Sequence, residues 1–117
     1  MNGVRVRFLN RNEILSRLTA RAQELLLLRT DVLEVRLFGS LAKGNHAPGS
    51  DADILIVLRD DSRRFTDRIP EFLDHFSGVG LTVDIFPYTV DELNQMKENP
   101  FIKSIQKEGM VLSLSSG

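Results

Sequence analysis

The stretch Phe38-Gly39-Ser40-Leu41-Ala42-Lys43-Gly44, followed by Ser50-Asp51-Ala52-Asp53-Ile54-Leu55-Ile56-Val57-Leu58, decides how the chain is read. A hydrophobic run ends in Gly-Ser, a glycine-containing loop follows, and two carboxylates two residues apart open a second hydrophobic run. Residues i and i+2 of a strand share a face, so Asp51 and Asp53 at a strand start would project together, close enough to share cations. Hard divalent cations such as Mg2+ take oxygen ligands of this kind, one or two carboxylates completed by phosphates and water. Gly39 lets the backbone approach a phosphate with no side chain in the way, and Ser40 can begin a short helix whose free N–H groups face an anion. Lys43 can add charge to a triphosphate, although a solvated lysine reads equally well. Together these features are chemistry suited to a nucleoside triphosphate.

The flanking sequence supplies the rest of one α/β domain over residues 1–117. Val32 to Phe38, rich in strand formers and closed by Gly39, reads as the first core strand. Ile54 to Leu58 is a continuous aliphatic run, as a central strand covered on both faces requires. Leu81 to Pro87 is the third core strand. Its Asp84 sits among apolar residues and is either a paired structural acid or a third ligand beside Asp51 and Asp53. Val4, Val6 and Phe8 alternate with Gly3, Arg5 and Arg7, the pattern of a short edge strand or extended arm. Asn10 or Asn12 can cap a helix over 12–29, with Ile14, Leu18, Ala22, Leu25 and Leu26 on one side. The unbroken run Leu25 to Leu28 reads as a buried helix end, with a partner surface as the alternative.

Asp60, Asp61 and Ser62 offer caps for a helix over 63–76 that turns Phe65, Ile69, Phe72, Leu73 and Phe76 inward, with a kink or break expected at Pro70. His75 reads as structural and His46 as a loop residue. Thr89-Val90-Asp91-Glu92 is a capping box opening a short helix. Asn99-Pro100 places a cap and an N1 proline before a last helix that Gly109 stops. Met110-Val111-Leu112 is expected to pack back on the core, with Ser113 onward frayed.

Composition sets the outer bounds. The 42% apolar and 26% charged fractions are those of an ordinary globular protein. With no cysteine there is no disulfide framework or thiolate metal site. No segment approaches a membrane span and the N-terminus lacks a signal-peptide pattern, so the expected location is the cytoplasm. The net charge of −1 hides an asymmetry: residues 1–36 balance at +3, whereas residues 50–92 balance at −6. The acidic middle suits a divalent-cation site and argues against direct contact with nucleic acid.

Gly-Ser, ten residues, then Asp-x-Asp resembles the signature of the nucleotidyltransferase fold of the DNA polymerase beta superfamily. The chain is most similar to the minimal nucleotidyltransferases, the MNT-type antitoxins paired with HEPN-type toxins. The resemblance implies a small mixed sheet of three core strands flanked by helices. It also implies that Asp84, on the neighbouring strand, is the third catalytic acid. Asp51 and Asp53 would then bridge two Mg2+ ions, with Mn2+ as an alternative, while Asp84 holds the metal on the attacking side. Gly39 and Ser40, with Lys43, would hold the nucleotide. The implied activity is transfer of AMP from ATP to a tyrosine of a HEPN-type toxin. Larger relatives carry a helical domain beside the catalytic sheet that this chain lacks, so a partner protein or self-association must supply acceptor recognition. Two other readings stay open. One is an antitoxin that neutralises by binding alone; the other is a nucleotidyltransferase acting on a small molecule such as an antibiotic.

Overall fold

A computed structural model of the chain describes residues 10–45, 47 and 50–116. The elements run α1 (Arg11–Leu28), β1 (Val32–Phe38), α2 (Ser40–Lys43), β2 (Ala52–Leu58), α3 (Phe65–His75), β3 (Val83–Thr89), α4 (Val90–Gln95), α5 (Pro100–Glu108) and β4 (Met110–Leu114). The strands form one mixed sheet in the order β3-β2-β1-β4. β1 lies antiparallel to both β2 and β4, whereas β2 and β3 are parallel, with α3 in the connection between them. Among the described residues no helix is long and apolar enough to cross a membrane.

Strand alternation sorts the core onto the two faces of this sheet. Ile54, Ile56 and Leu58 of β2 join Leu18 and Ala22 of α1 and Phe72 of α3 in the larger cluster. Leu55 and Val57 point the other way, to Ile102 and Ile105 of α5 and to Leu93 and Met96 around α4. The aliphatic run is therefore covered on both faces, as its composition requires.

Local signals in the sequence fix most element ends. Asn10 Oδ1 accepts from Glu13 N at 2.8 Å and starts α1. Thr89 and Glu92 form a reciprocal capping box at α4. Asn99 caps α5 with Pro100 in its first turn, and Gly109 follows its last residue. His75 is structural as expected: its Nε2 lies 2.7 Å from Arg21 O, and Arg21 Nη1 donates back to His75 O at 2.9 Å. The expected arm at Val4–Phe8 and the loop residue His46 lie outside the described residues.

Several expectations need correction. The sheet has a fourth strand, because Met110–Leu114 pairs along β1 and Ser115 N donates to Leu33 O at 2.8 Å. The chain is therefore not frayed from Ser113. β3 runs two residues later than read. Pro87 sits inside it, which is tolerated because β3 is an edge strand whose outer N–H row has no partner to lose. α3 is continuous through Pro70. Pro70 and Thr66, whose carbonyl loses its helical donor, are both exposed. Leu73 is exposed rather than inward-facing. Asp60, Asp61 and Ser62 do not cap α3: its N-cap position is Arg64, with no side-chain bond, and Asp61 pairs with Arg63 instead. At the end of α1, Leu25 is buried and Leu26 packs on the core, but Leu27 and Leu28 are 86% and 69% exposed. The helix meets the sheet along one side only, and these two residues point away from it.

Candidate active site

Asp53 is the centre of the site. It lies on β2 opposite Phe38 of β1 on one side and Asp84 of β3 on the other. It shares the sheet face of Leu55 and Val57, the face covered by α4 and α5. Asp51 precedes it by two residues and receives a hydrogen bond from the Thr82 hydroxyl, while Thr82 O accepts from Ala52 N at 2.9 Å. Asp51 and Asp84 are exposed and Asp53 is half-buried. Asp84 is therefore not the acid immersed among apolar neighbours that its strand composition suggests.

Ion pairing divides the acids of the middle segment: Asp61, Asp67, Glu71 and Glu92 have arginine partners, whereas Asp60, Asp74 and Asp91, like the three candidate acids, form no ion pair among the described residues. Asp61, Glu71 and Glu92 are matched by arginines: Asp61 and Glu71 with Arg63, Glu92 with Arg68. Among the described residues no lysine or arginine forms an ion pair with Asp51, Asp53 or Asp84. Burial, and then the charges of Asp84 and Asp51, hold the Asp53 carboxyl above its ordinary value. Such a crowd of like charges is what a divalent cation neutralises. The three side chains are not gathered round one point, and among the described residues no group of three or more His, Cys, Asp or Glu side chains is placed to hold a metal ion. An open set of carboxylate oxygens still fits Mg2+ or Mn2+, which complete their shells with phosphate oxygens and water.

Gly39 and Ser40 follow Phe38 directly, at the end of β1 beside Asp53. Gly39 has φ 79° and ψ −159°, backbone essentially reserved for glycine. A Cβ there would stand 3.4 Å from Asp53 Cγ and in collision with Asp53 Oδ2. Glycine is thus required to admit the carboxylate, a reason separate from access for phosphate. Ser40 opens α2 as read. Lys43, at the end of α2, pairs with Glu108 Oε2 at 2.8 Å, with both side chains nearly half exposed.

Three residues at the site were not singled out from the sequence. Arg11, at the first position of α1, donates from Nε to Leu41 O and from Nη2 to Ala42 O, both at 3.0 Å, and so ties α2 to α1. A positive side chain in the first turn of a helix opposes the helix dipole, a local sign that it serves elsewhere. Thr82 orients Asp51, but only the β2–β3 pairing reveals it. Phe101 of α5 contacts Phe38 and Phe86 beside the carboxylates, again through tertiary placement alone. A separate cleft of about 210 Å³ between α4 and α5 is lined by Arg36, Leu55, Leu93 and Ile105. None of the candidate residues lines it, so it stands apart from the carboxylates.

A family model described as a nucleotidyltransferase domain matches residues 6–113. The chain belongs to that family. Among solved structures, this nucleotidyltransferase-domain chain is similar to a Sulfolobus solfataricus protein described as a candidate nucleotidyltransferase. They share 22% identity at a TM-score of 0.62, over 86% of this chain and 80% of the other. It is also similar to a toxin–antitoxin structure with AMP-PNP, at 19% identity and a TM-score of 0.50, over 92% of this chain and 76% of that one. At these identities the likeness is one of fold. No curated protein matches the sequence. The four-stranded mixed sheet with flanking helices agrees with the fold of the Sulfolobus protein.

Proposed function

We propose that the chain moves AMP from ATP onto a protein hydroxyl, a tyrosine of a HEPN-type toxin, and so acts as that toxin's antitoxin. The observation that carries this reading is the meeting, on one sheet face, of the Gly39-Ser40 turn with Asp53 and Asp84 in register. Membership of the nucleotidyltransferase-domain family supports the reaction class. The similar toxin–antitoxin structure with AMP-PNP supports the choice of nucleotide and kind of partner.

In this reading the acceptor hydroxyl oxygen attacks the α-phosphorus in line, the bond to the β-phosphate oxygen breaks, and pyrophosphate leaves. Positioning and charge neutralisation account for most of the acceleration in such transfers. Asp51, Asp53 and Asp84 would hold the divalent cations, with Asp84 serving the attacking side. When bound, the cations supply charge stabilisation to the entering and leaving oxygens. Asp84, which is exposed, would also receive the acceptor's proton. Gly39 and Ser40 offer backbone N–H groups to the distal phosphates. Lys43 can exchange Glu108 for a phosphate at small cost, because an exposed ion pair contributes little.

The test is the intact mass of a HEPN-type partner after incubation with this protein, Mg2+ and ATP, beside an Asp51→Ala/Asp53→Ala control. A mass gain equal to one or more AMP groups, absent from the control, is expected. Tight binding with no mass change, whichever triphosphate is supplied, would replace transfer by a binding-only antitoxin.

A further inference from the structure

We infer that Phe101 is a stacking platform for the nucleobase of the donor nucleotide, and that it holds the base by its face without reading its edge. This rests on the nucleotidyl-transfer reading above and adds where the base goes and how selectively it is held. Phe101 is 42% exposed in the first turn of α5. Its backbone is fixed: Asn99 Oδ1 accepts from Phe101 N at 2.8 Å and from Ile102 N at 3.4 Å, with Pro100 between them. The exposed ring is therefore presented from a rigid helix start.

Its surroundings join it to the carboxylates. The Phe101 ring lies 5.6 Å from Phe38 at 77° and 5.8 Å from Phe86 at 57°, and Phe38 lies 5.2 Å from Phe86 at 64°. Phe38 is the strand partner of Asp53, with Cβ atoms of such a pair about 5 Å apart. Phe86 follows Asp84 by two residues and so shares its face. Rings from β1, β3 and α5 thus form one apolar wall beside Asp53 and Asp84. Phe38 is buried in it and Phe101 supplies its open face. With the distal phosphates at Gly39-Ser40 and the α-phosphate at the carboxylates, this wall is the apolar surface beside the point where the nucleoside emerges.

Several polar groups flanking Phe101 already have partners in the fold, although the exposed Lys103–Glu98 pair holds its lysine only weakly. Asn99 Oδ1 caps the helix, Ser104 Oγ donates to Phe101 O at 2.7 Å, and Lys103 Nζ pairs with Glu98 at 2.9 Å. Stacking on an aromatic face tolerates every base, since each has a π-face, whereas discrimination needs hydrogen bonds to base edges. ATP is then the donor through its abundance, and the other triphosphates bind comparably.

The chain contains no tryptophan and one tyrosine, so Phe101→Trp installs a single tryptophan at the platform that can be excited selectively. With Mg2+ and no acceptor protein, saturable emission changes are expected for ATP, GTP, CTP and UTP, with affinities within about tenfold of one another. Inorganic tripolyphosphate should displace ATP from the wild type and leave the tryptophan emission unchanged. Phe101→Leu, which keeps the apolar packing, should melt near the wild type yet bind ATP roughly five- to fifty-fold more weakly, with tripolyphosphate affinity unaltered. Unchanged ATP affinity in Phe101→Leu, an equal emission response to tripolyphosphate, or a preference for one base above about a hundredfold would overturn the platform while leaving nucleotidyl transfer standing. A wild type that binds neither ATP nor tripolyphosphate would remove the transfer reading and the platform with it.

Discussion

Gly39→Ala separates the geometry of the site from the stability of the fold. Gly39 occupies backbone at φ 79° and ψ −159°, where a side chain costs about 1–3 kcal/mol. In a domain of this size that lowers the melting temperature by roughly 5–15 °C. The new methyl would also strike Asp53 Oδ2, and the carboxylate must give way because Asp53 is carried on the central strand β2. A displacement of about 1 Å at a reacting centre costs on the order of 100-fold in rate. Gly44→Ala is the matched control. Its φ is 80°, yet an added Cβ meets nothing closer than Arg11 Nε at 3.8 Å. Both variants should melt lower, and only Gly39→Ala should lose Mg2+-dependent pyrophosphate release from ATP in the presence of acceptor. Equal activity in the two variants would refute the placement of Asp53 against Gly39 as the working arrangement.

Three other outcomes follow from the same geometry. Asp84→Asn should melt at the wild-type temperature, since Asp84 is exposed, and lower transfer by about 10²–10⁴-fold in a turnover assay; unchanged transfer would remove Asp84 from the mechanism. Arg68→Ala should cost about 1–3 kcal/mol in urea denaturation, because buried and part-buried carbonyls lose their donor while Glu92 is exposed enough to be solvated. Arg68 is 3% exposed, holds Glu92 through both terminal nitrogens at 2.7 and 3.1 Å, and donates to Pro87 O, Asp61 O and Arg63 O, so truncation removes a donor from all four partners. Asp61 is held down to about 2, by hydrogen bonds from Arg63 foremost, against an ordinary 3.8. Its lowered value adds about 1–2 kcal/mol of stability that is present above about pH 5 and lost as pH falls toward 2. Asp61→Asn should flatten that part of the acid-denaturation curve, and an unchanged curve would show the pair to be without consequence.

Features carried by contiguous residues were legible in the sequence. The caps at Asn10, Thr89 and Asn99, the strand Val32–Phe38, and the run Ile54 to Leu58 each depend on bonds or burial within a few residues, and each stands where the pattern puts it. The Gly39-Ser40 and Asp51-x-Asp53 segments are likewise brought side by side by antiparallel pairing of adjacent strands, which a short connection favours. β4 was read only as a segment returning to the core. Its strand character comes from pairing with β1 across most of the chain, not from a strong pattern in Met110–Leu114 itself. Leu27, Leu28 and Leu73 were assigned inward on composition, but a helix touching the sheet along one side buries only its matching stripe.

The residues that complete the site share one property: each acts far from where it stands in the chain. Arg11 reaches Leu41 and Ala42 across 30 and 31 positions, and Thr82 reaches Asp51 across 31. Phe101 meets Phe38 because α5 crosses the sheet face before β4 closes the edge. A charge count treated the middle segment as uniformly acidic, yet the fold divides its acids. Asp61, Glu71 and Glu92 are paired with arginines, while Asp51, Asp53 and Asp84 lie near enough for Asp53 to feel the charges of the other two and, like Asp60, Asp74 and Asp91, form no ion pair among the described residues. Arg63 and Arg68 of the same segment are directed to the α3 and α4 side. Mutual repulsion at the sheet end is a cost that burial of Asp53 increases, and a positively charged ligand or protonation of Asp53 would offset it. The sum of charge alone does not reveal that three acids without an ion pair, Asp51, Asp53 and Asp84, stand at one end of the sheet, about the starts of β2 and β3.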